Sequence, residues 1–321
     1  MIKFGLDLTI WPWSFRRFDE LVQIASEAEK LGLDSLWVSD HLMYTEPDTN
    51  VLEALTTLTA VSMRTKRVKV GTKVLSMPFR HPAILAKIGS TLDIISNGRL
   101  IVGVGAGWYE KEFEAFNIPF DKRAGRMRES IEVLKSLWVN PLTTYHGSYY
   151  RLEGAESWPK PLQRPHPPIW IGATGPRMLG IVAELGDGWI TTNQSPEQYE
   201  HSWKTIKDHA RELGRDAASI EPACYTYSTI ATDANEARRT AEELILPERR
   251  RALSDPSLRI EDIERFGIIG GPDEWIERIE EYVKAGARHV IVKIVPLNLD
   301  SLRLYRKEVI QHFRQKANSY D

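Results

Sequence analysis

The sequence predicts an α/β protein, a (β/α)8 TIM barrel with insertion loops, on three observations. Short apolar runs rich in β-formers alternate with longer segments of helical period, which is the signature of βα units and a parallel sheet. Eight such runs can be placed along the chain, more than an open doubly wound sheet usually needs. The length, 321 residues, suits one large barrel and demands no second domain.

Taken in order, the strands are expected at 3–8, 35–39, 68–75, 99–104, 168–172, 188–192, 221–230 and 289–295. Helices are expected between them at 18–31, 52–64, 82–95, 126–138, 176–185, 196–213, 235–246 and 272–285, with a last one at 299–316 closing the chain. Gly32 ends the first helix just ahead of the second strand, and Gly286 does the same before the eighth. Two stretches break the repeat: 142–168, with five prolines and a hairpin signal at His146-Gly147, and 245–271, polar and bounded by glycines. Both predict insertions into a single domain spanning 1–321, of a length that in barrels serves as functional lids or mobile segments.

Composition excludes several function classes. A 42% hydrophobic, 27% charged chain is globular rather than disordered, and 42 Lys and Arg against 44 Asp and Glu leave a net charge of −2. No surplus positive field exists to hold a nucleic acid. No apolar run approaches the roughly 20 residues of a membrane helix. The start, Met1 to Leu6, carries no signal-peptide pattern and the lone Cys224 has no partner for a disulfide, so a reducing cytoplasm is the expected home.

In such a barrel the active site lies at the carboxyl ends of the strands, so polar residues just after each apolar run are the first candidates. The second strand exits through Ser39-Asp40-His41, a carboxylate beside an imidazole whose ordinary pKa of about 6.5 suits acid–base work. A turn cap at Asp40 and a carbonyl-bonded His41 are the structural alternative. The fourth strand carries Gly103, Gly105 and Gly107 at alternate positions, leaving one face without side chains, either for a flat ligand or for tight packing. It is no dinucleotide fingerprint, because the third glycine of G-x-G-x-x-G falls on Trp108. After the fifth strand, Gly172-Ala173-Thr174-Gly175-Pro176 opens a helix whose free N–H groups suit an anion, with an empty, well-capped helix as the alternative. There is no C-x-x-C, H-E-x-x-H, G-x-S-x-G or P-loop, and the eight histidines are scattered, so no metal site is expected. Trp11, Trp13 and Trp108 fall near strand exits and suit a pocket wall, whereas Trp138 and Trp275 read as helix core.

Jointly, and in order, a set of motifs resembles the luciferase-like flavin and deazaflavin oxidoreductase superfamily. They are 33–41 (Leu-Asp-Ser-Leu-Trp-Val-Ser-Asp-His), 52–58, Lys69 to Thr72 with Phe79-Arg80-His81-Pro82, Ser96 to Arg99, Gly103 to Trp108 with Glu112-Phe113, 123–129, and Pro168 to Gly172. Ser39-Asp40-His41 is most similar to the branch using the deazaflavin coenzyme F-420; the FMN monooxygenase branch tends to carry Glu-His-His there. The resemblance implies that Asp40 and His41 face the ring system, with His41 as acid, base or substrate polariser. It also implies a non-prolyl cis peptide at Lys73-Val74 bulging against the ring, Ala106 and Gly107 lining it, and Ala173, Thr174 and Gly175 receiving the cofactor phosphate. One departure matters: where the glucose-6-phosphate dehydrogenases of this family carry a catalytic Glu after the G-x-G, Trp108 stands here, and their ring tryptophan four residues after the His is Thr45.

The expected function is therefore hydride transfer between coenzyme F-420 and a small organic substrate, with His41 moving the proton. The alternatives are an FMN-dependent monooxygenase fed by a separate reductase, and a flavin-binding barrel without catalysis. A homodimer is implied by resemblance, and the broadly apolar helix at 82–95 suits burial on more than one side.

Overall fold

The computed structural model describes residues 1–9, 18–43 and 51–318. Eight parallel strands form the barrel: Lys3–Asp7, Ser35–Val38, Lys69–Thr72, Leu100–Gly105, Ile169–Gly172, Gly188–Thr192, Glu221–Ile230 and His289–Ile294. Each pairs with its sequence neighbour, and the eighth pairs with the first through Lys3 opposite His289, which closes the ring. These are the expected strands, with shifts of a residue or two at their ends. The exception is the third, which stops at Thr72 and resumes as Leu75–Ser76 alongside the fourth strand.

The helices cover the outside because each presents one apolar stripe to the sheet. Pro82, Pro176, Pro196 and Pro272 start four of them, at the position where a missing N–H is lost anyway. Ser195 and Gln198 add a capping box to the third of these. A short helix, Glu110–Ala115, follows the fourth strand without having been expected there. Trp138 and Trp275 are buried in the helix layer, as their positions implied; Trp11 and Trp13 lie outside the described residues.

The two irregular stretches are more ordered than their composition suggested. The first contains the antiparallel hairpin Thr143–His146 and Arg151–Ala155. The second is largely helical, with Leu246–Ala252 and Ile260–Glu264, and then adds the strand Ile268–Gly270 to the end of the seventh barrel strand. Pro247 explains why the preceding helix does not read continuously: it lacks an N–H, and a π-helical segment at Ala241–Ile245 carries the chain into the next helix.

Within the barrel, Trp37, Ile101, Trp170, Ile190, Ala223 and Ile291 pack together, with the Trp37 and Trp170 rings 5.1 Å apart. His289 belongs to this plug. Trp37 Nε1 donates to Ser35 Oγ (2.7 Å), and Ser35 Oγ lies 2.7 Å from His289 Nε2. Burial pushes the His289 pKa down to about 3, so the imidazole is neutral at any physiological pH. This cluster fills the barrel interior.

Candidate active site

A cavity of about 670 Å³ opens at the carboxyl ends of the strands. Asp40 and His41 reach it directly after the second strand, Lys73 and Val74 after the third, Ala106 and Gly107 after the fourth. Ala173, Thr174 and Gly175 complete it after the fifth strand. All nine sequence-selected residues thus meet in one place, although four strand exits separate them along the chain.

The glycine-bearing face of the fourth strand proves to be a packing surface. A Cβ on Gly103 would stand 1.8 Å from the Thr72 carbonyl oxygen, and the Val74 side chain occupies the space beside Gly105 and Gly172. Thr72 Oγ1 donates to the Gly103 carbonyl at 2.7 Å. Tight packing accounts for Gly103, where the missing side chain makes room for the bulged end of the third strand, while Gly105 and Gly107 also line the cavity. The Lys73-Val74 peptide is cis. Gly107, at φ +83°, packs where a side chain would meet Ser76 and the Phe113 ring.

His41 Nδ1 lies 2.9 Å from Glu112 Oε2, whose other oxygen accepts from the backbone N–H of Leu42 (2.8 Å) and Met43 (3.0 Å). Burial raises the Glu112 pKa, but the His41 contact and the two backbone donors outweigh it and hold the carboxyl below its ordinary value. An ionised Glu112 can only accept, so in the neutral imidazole the proton sits on His41 Nδ1. The Trp108 ring meets the imidazole edge-on at 5.8 Å. Glu112 stands on the unexpected helix Glu110–Ala115; it belonged to a family-like motif, but no spacing in the sequence tied it to a histidine 71 residues earlier.

Asp40 is held by a different set of contacts from its neighbour. Its two oxygens receive both ends of the Arg80 guanidinium at 2.6 and 2.8 Å, Ser76 N–H adds a third bond, and Arg80 also reaches Glu53 at 2.8 Å. Both oxygens of this carboxylate are thus engaged in charge-assisted bonds. It ties the second strand exit to the segment that follows the cis peptide.

The seventh and eighth strands and the second insertion supply much of the remaining wall; the insertion was expected to serve the site, but sequence reasoning named none of these residues. Tyr225 donates to Asp7 (3.0 Å), Lys73 lies over the Tyr225 ring (3.7 Å), and Arg249 donates to Tyr227 (3.0 Å). Lys293 was detectable as a lone charge inside the apolar run His289–Ile294, and Tyr225 and Tyr227 as alternate residues of one strand. Arg249, inside a charged helix, gave no signal.

The turn at Ala173-Thr174-Gly175 leads into the helix Pro176–Leu185, whose N-terminus no side chain caps. Pro176 has no N–H, and the Met178 and Leu179 N–H groups both donate to the Gly175 carbonyl at 3.0 Å, so what this turn presents to the cavity is chiefly the positive end of the helix dipole. Among the described residues no cluster of His, Cys, Asp or Glu is arranged to hold a metal ion.

The sequence profile of the luciferase-like monooxygenases matches residues 9–289. The chain belongs to this family. Among its luciferase-like relatives, the F-420-dependent glucose-6-phosphate dehydrogenase of Microbacterium testaceum is 32% identical, over 93% of this chain and 94% of the relative. The 5,10-methylenetetrahydromethanopterin reductase of Archaeoglobus fulgidus is 29% identical over 96% of this chain and 99% of its own length. The F-420-dependent tetrahydromethanopterin reductase structure from Methanopyrus kandleri superposes with a TM-score of 0.81 at 26% identity, covering 97% of this chain and 99% of that one. An F-420-dependent secondary alcohol dehydrogenase reaches 0.85 at 22% identity, covering 96% and 98%, and supports the shared fold. Thr45, where the sugar-phosphate enzymes of the luciferase-like group carry tryptophan, lies outside the described residues.

Proposed function

We propose that this luciferase-like protein is a coenzyme F-420-dependent oxidoreductase acting on a small organic substrate. The observation that carries the reading is His41, held by Glu112 in one tautomer at the edge of a cavity that ends on an uncapped helix N-terminus. The residues present fit the cofactor. Ser76 Oγ and Asn193 Oδ1 are buried polar atoms without a hydrogen-bond partner that line the same cavity, as groups awaiting a ligand do. Val74, Ala106 and Gly107 would hold its ring, and Thr174 and Gly175 its phosphate; all five line the cavity. When bound, the deazaflavin supplies or accepts the hydride.

The chain's own residues do the rest. His41 Nε2 receives the proton of an alcohol during oxidation, or returns it to a carbonyl oxygen during reduction. Glu112 keeps Nδ1 protonated and stabilises the imidazolium in either direction. Asp40, through Arg80, fixes the backbone that carries His41 relative to Ser76. Trp108 stands half exposed beside the imidazole and limits water there.

Equilibrium titration tests the cofactor. Quenching of F-420 fluorescence at micromolar protein, with FMN bound at least tenfold more weakly, is the expected result; tight FMN binding without F-420 binding selects the monooxygenase reading. We further propose a homodimer in the cytoplasm. Ile84, Ile88 and Ile95 form an exposed stripe on the helix Pro82–Ile95, and Ile84→Glu is expected to shift light-scattering mass to that of a monomer.

A further inference from the structure

We propose that a second hollow, which opens where the phosphate turn ends, is the subsite for the glutamyl tail of coenzyme F-420. This rests on the F-420 reading and extends it along the same ligand. Beyond its phosphate the coenzyme carries a lactyl group and then glutamates joined by amide bonds, so the tail starts wherever the phosphate is held. The hollow, of about 650 Å³, shares Thr174, Thr192 and Asn193 with the first cavity. Thr174 follows the fifth barrel strand and Thr192 ends the sixth, so the two spaces adjoin along those strand exits. On the far side the helix Pro196–Glu212 supplies Glu197, Gln198, His201 and Ser202. Among the described residues, His41 lines the first cavity and not this one, so a group seated here is bound without taking part in the chemistry.

An amide-linked chain of carboxylates asks for an acceptor for its N–H groups and donors for its oxygens. The acceptor is Asn193 Oδ1, a buried atom with no hydrogen-bond partner, on a residue at φ +56°, a conformation that asparagine tolerates better than most. The donors are set by neighbouring bonds. Gln198 Oε1 accepts from the Ser195 N–H at 3.0 Å, which leaves the Gln198 NH2 to a ligand. Ser202 Oγ accepts from Gln194 Nε2 at 2.9 Å, and Gln194 Oε1 accepts from Thr191, so the Ser202 proton is available as well. The Thr174 and Thr192 hydroxyls stand at the entrance. Among the described residues, the titratable groups of the hollow are His201 and Glu197, both exposed. Ser195 Oγ donates to Glu197 at 2.7 Å and holds its carboxyl below the ordinary range, so this charge opposes the carboxylates of a tail. Recognition therefore runs through hydrogen bonds to the amide and not through net charge, and the affinity it adds is insensitive to salt. Lys122 and Arg177, which line the first cavity, are the rival anchor for such a tail, one that acts through charge.

The test is a fluorescence titration of the purified protein with F-420 lacking glutamate and with its monoglutamyl and oligoglutamyl forms, at low and at high salt. Expected is a Kd at least tenfold lower for the monoglutamyl form than for the glutamate-free one, little gain from later glutamates, and the same ratio at both salts. Asn193→Gly, which keeps the backbone conformation and removes the acceptor, and Ser202→Ala should each cut that ratio to threefold or less. Glu197→Gln should raise it at least twofold; this residue is exposed, so its variant decides if the other two fail to fold. Equal Kd values for the glutamate-free and glutamyl forms overturn the subsite and leave the F-420 reading standing. A ratio that collapses at high salt or in Arg177→Gln, yet is unchanged in the three hollow variants, gives the tail to the rim cations and overturns the proposal. No binding of any F-420 form removes the reading itself, and the subsite with it.

Discussion

Replacing Glu112 by Gln separates its charge from its shape. Leu42 and Met43 both donate to Oε1, at 2.8 and 3.0 Å, so the glutamine carbonyl is held on that side and its NH2 faces His41. An NH2 in place of Oε2, 2.9 Å from Nδ1, requires a bare Nδ1 and moves the imidazole proton to Nε2. The imidazolium used in both reaction directions also loses its carboxylate. A wrongly protonated, unsupported base costs roughly 10²–10⁴ in kcat. Losing a charge-assisted bond costs on the order of 1–2 kcal/mol of stability. The assay is anaerobic turnover followed by F-420 absorbance, with a melting curve and an F-420 titration as controls. A kcat within threefold of wild type, in a folded variant, would refute the dyad.

His41→Ala should keep the fold and most F-420 affinity, because the phosphate turn at Thr174 and Gly175 is on another strand exit, while kcat falls roughly 10²–10⁴, measured side by side with wild type. Glucose 6-phosphate should not be oxidised, since Trp108 offers only an indole donor and Glu112 is committed to His41, Leu42 and Met43; steady turnover of that sugar would show another carboxylate at work. Gly103→Ala should lower the urea midpoint sharply or abolish soluble protein, because its methyl would stand 1.8 Å from the Thr72 carbonyl; a wild-type midpoint contradicts the packing account. His289, with a folded pKa of about 3 against about 6.5 unfolded, binds its proton first in the unfolded chain. Its contribution is complete above pH 6.5 and declines as pH falls toward 3, by up to ~5 kcal/mol, so the stability of His289→Gln measured by urea unfolding should vary less across that window.

The barrel was legible because alternation of strand and helix periods survives any choice of surface residues, and glycine and proline punctuate it. The site was half legible. Ser39-Asp40-His41 and the turn at Thr174 announce themselves as polar residues at the ends of apolar runs, and a family-like pattern supplied Lys73-Val74. What periodicity cannot give is pairing: nothing local tells that Asp40 belongs to Arg80, or that Glu112 belongs to His41. The fourth-strand glycines left two readings open; the path of Thr72 to Val74 makes Gly103 a packing position, while Gly105 and Gly107 also line the cavity. The insertion at 245–271 looked loop-like because its helices are short and polar, yet it delivers Glu248 and Arg249 to the cavity.

Isotope transfer tests the central claim most directly. Reduced F-420 deuterated at its hydride-donating carbon is mixed anaerobically with the protein and a carbonyl substrate found by screening, and the product is examined by mass spectrometry. Direct hydride transfer predicts one deuterium on the former carbonyl carbon, in ordinary water, and loss of that transfer in His41→Ala. A product whose new C–H hydrogen comes from solvent, or one formed only with oxygen and reduced FMN and carrying an oxygen atom from labelled O2, would contradict it.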